Sequence, residues 1–172
     1  MVVINTKRLI LKPLGMKYLQ TVHEYASDKE NTKYMVHLPN KDIEETKSFL
    51  KKADIEWMSE TPSFYEFAVI YDDQQIGAVS IYLKDPISGE LGWIINKKYW
   101  KQGFAYEAAA ALLDYSVKEL KIKHFIAHCD AENTASYRIM EKLGMSQTNT
   151  CKGRKNRASD EERTEYMYEL DI

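Results

Sequence analysis

Three strand-like runs follow one another between residues 64 and 95, joined by short turns. Residues 64–71 and 76–83 are rich in aromatic and β-branched side chains, and Asp72-Asp73-Gln74-Gln75 between them has the character of a hairpin connection. A turn over residues 85–89 then leads into a third run at 90–95. Strands joined by turns this short pair antiparallel, and such a meander needs helices or a second layer to cover it.

The flanking segments supply the helices. Leu19, Val22 and Ala26 recur at helical spacing, and a second helix is expected from Lys41-Asp42 to about Met58, burying Ile43, Leu50, Ala53 and Trp57 on one face. Residues 104–120 hold four consecutive alanines among strong helix formers. A short buried strand is expected at 124–129. A helix follows at 133–143, with Asn133 as its N-cap and Gly144 where a left-handed C-cap is needed. With a first strand ending at Pro13 and two last strands near 146–151 and 164–170, the chain reads as an α/β (α+β) fold. Its sheet is mixed, mostly antiparallel and of about seven strands, flanked by helices.

Composition bounds what this domain can do. A length of 172 residues suits one domain, taken as 1–172, and the 44% apolar fraction argues against disorder. Lys and Arg number 24 against 26 Asp and Glu, so no global field draws the chain to nucleic acid or an anionic membrane. Cys129 and Cys151 are too few for a disulfide scaffold, and neither they nor His23, His37, His124 and His128 have metal or triad spacing. No apolar run reaches the ~18 residues of a membrane span, and the N-terminus lacks a leader pattern. The expectation is a cytoplasmic protein without a metal, monomeric or homodimeric.

Chemistry concentrates where the third run of the meander passes through a polar loop into the alanine-rich helix. Free N–H groups at a helix start form an anion site, and Gly103 and Ala105 let an anion approach that backbone closely. Lys97, Lys98 and Lys101 are expected to add positive charge there; the alternative is a plain helix start with solvated lysines. Neither a Gly-Lys-Ser/Thr phosphate loop nor a Gly-x-Gly-x-x-Gly motif is present.

Two segments together resemble the GNAT acetyltransferase superfamily. Trp100-Lys101-Gln102-Gly103-Phe104-Ala105 is similar to its Gln/Arg-x-x-Gly-x-Gly/Ala pyrophosphate loop. Asn133-x-x-Ser136-x-Arg138-x-x-Glu141-Lys142-Leu143-Gly144-Met145 is similar to its second cofactor motif. The opening Thr6-Lys7-Arg8-Leu9-Ile10-Leu11-Lys12-Pro13-Leu14 resembles the branch that holds the ribosomal-protein-alanine N-acetyltransferases. Departures are Trp100 for the usual Gln/Arg, Lys101 where the branch commonly has Gly, and Met140 where many members have a tyrosine acid.

The resemblance implies a sheet splayed between its fourth and fifth strands. It also implies acetyl transfer from acetyl-CoA to a primary amine, either a protein N-terminal α-amine or a small molecule, by direct attack in a ternary complex. An idle domain that only binds acyl-CoA is the alternative, and Met140 is the feature that favours it. Cofactor contacts are then expected from the strand edge at Trp93, Ile94 and Ile95, from Lys101, Gln102, Gly103, Phe104, Ala105 and Tyr106, and from Asn133, Ser136 and Arg138. A backbone N–H near Ile94 would stabilise developing negative charge. Ser136 is the candidate partner of the departing sulfur, or else an ordinary first-turn serine. Glu90 is the candidate base, or else an exposed turn glutamate, with Glu165 behind it. Tyr65 and Tyr106 are candidates for an acceptor pocket, or else packing residues. The charged segment 152–163 is either a solvated hairpin tip or a selector of the acceptor.

Overall fold

A computed structural model describes residues 2–172. The elements run β1 (Ile4–Asn5), β2 (Ile10–Pro13), α1 (Leu19–Ala26), α2 (Ile43–Met58), β3 (Phe64–Tyr71), β4 (Gln74–Asp85) and β5 (Ser88–Ile95). They continue as α3 (Phe104–Lys118), β6 (His124–Asp130), α4 (Thr134–Lys142), β7 (Ser146–Lys155) and β8 (Glu162–Asp171). The strands form one sheet in the order β1-β2-β3-β4-β5-β6-β8-β7. This is the expected mixed sheet with one strand more than anticipated: β1, only two residues long, pairs with β2 through Ile4↔Leu11 and Asn5↔Ile10. Two residues carry no periodicity to read.

Local chemistry accounts for the elements. Asp72 and Asp73 both take positive φ, 48° and 59°, which suits the right-handed twist of the β3–β4 hairpin. Asp42 caps α2 by accepting a hydrogen bond from the Glu45 N–H at 3.0 Å. Leu50 and Ala53 on α2 are fully buried, whereas Ile43 and Trp57 are only half-buried. Trp57 packs against Tyr65 and Phe67 of β3 and donates its indole N–H to the Glu66 carbonyl at 2.9 Å.

Alternation along the strands builds two cores. Leu9, Leu11, Phe67, Val79, Ile81 and Phe125 pack on one face against Phe104, Ala108 and Leu112 of α3. On the other face Ala68, Ile70 and Ala78 meet Val22, Tyr25 and Ala26 of α1 and Leu50 of α2. No described helix is long and apolar enough to cross a membrane.

Every neighbouring pair of strands is antiparallel except β5 and β6, which run parallel for three rungs only: Ser88↔His124, Gly89↔Phe125 and Glu90↔Ile126. Beyond Glu90, β5 stays with β4 while β6 stays with β8. The expected splay therefore exists, and its mouth lies between residues 91–95 and 127–130.

Candidate active site

The splay frees one edge of β5. Between Leu91 and Ile95 the strand pairs on its β4 side alone. Successive residues aim their backbone groups to opposite sides, so those of Trp93 face the gap whereas those of Ile94, expected there too, are turned to Ala78 and Gly77 of β4. At Ile95 the carbonyl is already engaged, accepting from Trp100 Nε1 at 2.8 Å and Asn31 Nδ2 at 3.1 Å. Trp100 thus anchors the chain where it leaves the sheet.

Past that anchor, the loop opens onto α3. Gly103 is the N-cap residue with φ 80°, and it offers no side chain to the first turn. The N–H groups of Phe104, Ala105 and Tyr106 therefore point outward at the positive end of a fifteen-residue helix. Lys101 also takes a left-handed conformation, φ 62°, which explains why glycine suits that position and why lysine is strained there. The expected cluster of three lysines does not form. Lys97 pairs with Asp28 and Glu30, each at 2.8 Å, and Lys98 pairs with Glu24. Arg8 stands in their place: it donates to the Gln102 carbonyl at 3.0 Å, pairs with Glu107 at 2.7 Å and lies 4.5 Å over the Phe104 ring.

Across the gap, α4 begins at the end of β6. Asn133 caps it by accepting from the Ser136 N–H at 3.2 Å. That bond uses the backbone of Ser136, and its half-buried hydroxyl makes no hydrogen bond among the described residues. Arg138 lies exposed on the same helix, whereas Met140 is 1% exposed and belongs to the core. The methionine at the position of the family tyrosine is therefore a packing residue here.

Glu90 sits at the last rung before the strands part, and it is not a free carboxylate. Its Oε1 is 2.9 Å from His128 Nδ1 on β6, and its Oε2 is 2.6 Å from Lys84 Nζ. The His128 hydrogen bond, with Lys84 assisting, holds the Glu90 carboxyl down at about 2 despite partial burial. The same contact raises the His128 imidazole above its usual range. Because a carboxylate only accepts, neutral His128 carries its proton on Nδ1 and leaves Nε2 as the basic nitrogen. No spacing along the chain points to His128, since it meets Glu90 only through the parallel register of β5 and β6.

Of the remaining candidates the two tyrosines fall elsewhere, while Glu165 stands near enough to His128 to help raise that imidazole. Tyr65 packs edge-on against Trp57 at 5.3 Å, within the core on the α3 side of the sheet. Tyr106 lies exposed on α3 beside Lys142. Neither lines the side that carries Glu90. Glu165 is paired with Arg154. Segment 152–163 is the mostly exposed end of the β7–β8 hairpin, as expected, yet its arginines are engaged. Arg154 donates to the Tyr34 carbonyl at 2.8 Å, Arg157 grips Glu45 at 2.8 Å, and Arg163 pairs with buried Asp130 at 3.0 Å. Asn156 also reaches Asp130, at 2.6 Å. Residues 31–35 are thereby held at both ends, to Ile95 through Asn31 and to the β7–β8 hairpin through Tyr34 and Met35. They form a strap across the mouth of the splay.

Comparison with known proteins agrees with this geometry. The family described as acetyltransferase (GNAT) domain matches residues 8–146. An uncharacterized N-acetyltransferase of Bacillus subtilis, YnaD, is 36% identical over 145 residues, covering 83% of this chain and 81% of its own. A crystal structure of a GNAT-family acetyltransferase from Bacillus anthracis superposes with a TM-score of 0.83 at 32% identity, over 99% of this chain and 98% of the other. RimL, a ribosomal L7/L12 α-N-protein acetyltransferase solved with coenzyme A, superposes with a TM-score of 0.86 over 99% of this chain and 98% of its own; at 16% identity that likeness concerns the fold.

Proposed function

Because this chain belongs to the GNAT acetyltransferase family, we propose that it moves acetyl from acetyl-CoA to a primary amine by direct attack in a ternary complex. The chain is an acetyltransferase; the thioester donor, the amine class and the residue roles are the proposal. One observation carries it: an unpaired β5 edge leads to an uncapped α3 N-terminus, and together they offer a row of backbone donors to a long, amide-bearing, phosphorylated donor.

Within this reading, the N–H groups of Phe104, Ala105 and Tyr106 hold the pyrophosphate, with Gly103 clearing the approach and Lys101 and Arg8 balancing charge. Gln102 contributes through its backbone, the free edge at Trp93 orients the pantetheine amides, and Asn133 and Arg138 bind from α4. Acetyl-CoA supplies an activated thioester. A backbone N–H near Ile94 stabilises charge developing on its carbonyl oxygen. The Ser136 hydroxyl, unengaged in the protein, donates to the departing sulfur, whose thiol pKa of about 8.5 demands little help.

The amine arrives largely as ammonium and must lose a proton. Glu90 alone is a poor acceptor, since its pairing stabilises the carboxylate. The proton goes to Nε2 of neutral His128, while Glu90 fixes the ring and stabilises the imidazolium that forms. A base with a raised pKa lies nearer that of the amine, so less driving force is lost in the transfer.

A free-thiol release assay with acetyl-CoA against primary amines and N-terminal peptides tests this reading. Thiol release with at least one acceptor is expected. Clear acetyl-CoA binding with no release for any acceptor overturns it.

A further inference from the structure

On the face that carries Glu90 and His128, one buried carboxyl has no role in the scheme above. Glu66 on β3 is 7% exposed, and its one side-chain partner is the Tyr82 hydroxyl, 2.9 Å from Oε1. Its backbone carbonyl serves the fold, accepting from Trp57 and from the Leu14 N–H, but its side chain does not. Burial pushes this carboxyl up to about 8. Buried carboxyls are costly unless paired with a cation, and among the described residues no Lys, Arg or His pairs with Glu66. Nearby cations are engaged elsewhere: Lys84 and His128 on Glu90, and Lys52 over the Phe64 ring at 5.4 Å. The groups surrounding the Glu66–Tyr82 pair are Tyr25 of α1, Glu56 of α2 and Glu90 of β5, none of them basic.

Register places this carboxyl relative to the splay. Glu66 pairs with Ser80, and Ser80 with Gly92, so the three form one row across β3, β4 and β5. Gly92 stands two residues beyond Glu90, at the edge of the mouth. The row is a low floor, since a Cβ on Gly92 would come within 2.9 Å of Ser80 Oγ. On one side Tyr82 lies directly opposite Glu90. On the other, Ala68, Ala78 and Ile94 lie beneath α1 and α2. Two strand spacings separate Gly92 from Glu66, about 10 Å.

We infer that Glu66 is the specificity-determining residue of the acceptor side, binding a second ammonium group on an acceptor whose first amine reacts at the splay. The inference rests on the acetyl-transfer reading above and names its substrate class: diamines and longer polyamines in preference to monoamines. The ligand lies across Ser80 and Gly92, with its aliphatic chain on the low floor and its far cation against the carboxyl. Binding ionises Glu66, so one proton leaves the carboxyl for each acceptor bound through that end.

The test compares α,ω-diamines of increasing length with n-alkylamines of equal carbon count, by thiol release from acetyl-CoA. Wild type is expected to favour one diamine length by at least about tenfold in kcat/KM, chiefly through KM. The diamine-to-monoamine ratio should climb with pH up to about 8 and then level, because the carboxylate is the form that binds the cation. Glu66→Gln should abolish both the preference and its pH dependence while leaving monoamine turnover unchanged. Tyr82→Phe, at a partly exposed position, should raise the diamine KM several-fold with little effect on monoamines, and it decides the matter if Glu66→Gln does not fold. Turnover of monoamines or N-terminal peptides without a diamine preference overturns the inference and leaves the acetyl-transfer reading standing. A preference that survives Glu66→Gln does the same. No thiol release with any amine or peptide overturns both.

Discussion

The two sides of the splay are built from different materials. On the α3 side the site is mostly main chain: an unpaired strand edge, a glycine N-cap and the free N–H groups of a helix. On the opposite side it is made of side chains carried by four strands, with Glu66–Tyr82 and Glu90–His128 as paired polar contacts. Main-chain donors suit a ligand that is always the same, because they tolerate little variation and need none. Side-chain pairs can be exchanged residue by residue without disturbing the sheet, which suits the selection of one acceptor in the proposed reading.

The largest effect should come from damaging the main-chain side. With acetyl-CoA at 100 times its Kd, mass action stabilises the wild type by about 2.7 kcal/mol, or roughly 5–10 °C in Tm for a chain of this size. Gly103→Glu forces a side chain onto φ 80° and adds negative charge beside the phosphates, so that shift should vanish. An undiminished shift sinks the phosphate-loop assignment.

On the other side, His128→Gln should lower kcat about a hundredfold with the acetyl-CoA KM unchanged; a loss confined to KM would show that His128 is not the proton acceptor. Glu90→Gln should cost about tenfold and move the rising limb of the pH–rate profile to lower pH. The sign follows from the pairing, which raises His128, so neutral imidazole appears at lower pH once the carboxylate is gone. A limb that stays in place separates His128 from the rate. Linkage gives a matching stability signature: what His128 gains by pairing is lost as pH rises through its raised pKa, and what Glu90 gains is lost as pH falls toward about 2.

Smaller effects sharpen the contrast. Ser136→Ala should lower kcat several-fold and leave thermal stability unchanged, since its backbone, not its hydroxyl, meets the cap. A destabilised but fully active variant would return Ser136 to a structural role. Lys101→Gly should raise stability by about 1 kcal/mol through relief of the left-handed strain, at some expense of acetyl-CoA affinity. A fall in Tm would mean that Lys101 makes contacts outweighing its backbone conformation.

The same division explains what the amino-acid sequence disclosed. Gly103, Ala105 and Asn133 announce the main-chain side because their local conformations follow from neighbours within one turn. The meander, the alanine-rich helix and the α4 cap were legible for the same reason. Lys97 and Lys98 misled, since adjacency in the chain did not show that Asp28, Glu30 and Glu24 would claim them. Arg8 was missed because it reaches Gln102 from the far end of the chain. His128 and Glu66 were invisible because each acquires meaning only through register, a three-rung parallel pairing in one case and the Glu66–Ser80–Gly92 row in the other. Segment 152–163 shows a basic block followed by an acidic one, but not that partners of its arginines lie on α2 and the strap.

The strap has a mechanical consequence. The arms of the splay are joined at the narrow end by three backbone rungs and bridged at the wide end by residues 31–35, so the gap is a closed frame, unlike a hinge. Its span is set by the protein's own contacts, and in the proposed reading a donor is threaded alongside β5 without the arms first having to find their separation. Asn31 and Arg154, which touch neither end of the reaction, thereby act as the spacers that set the gauge of the slot.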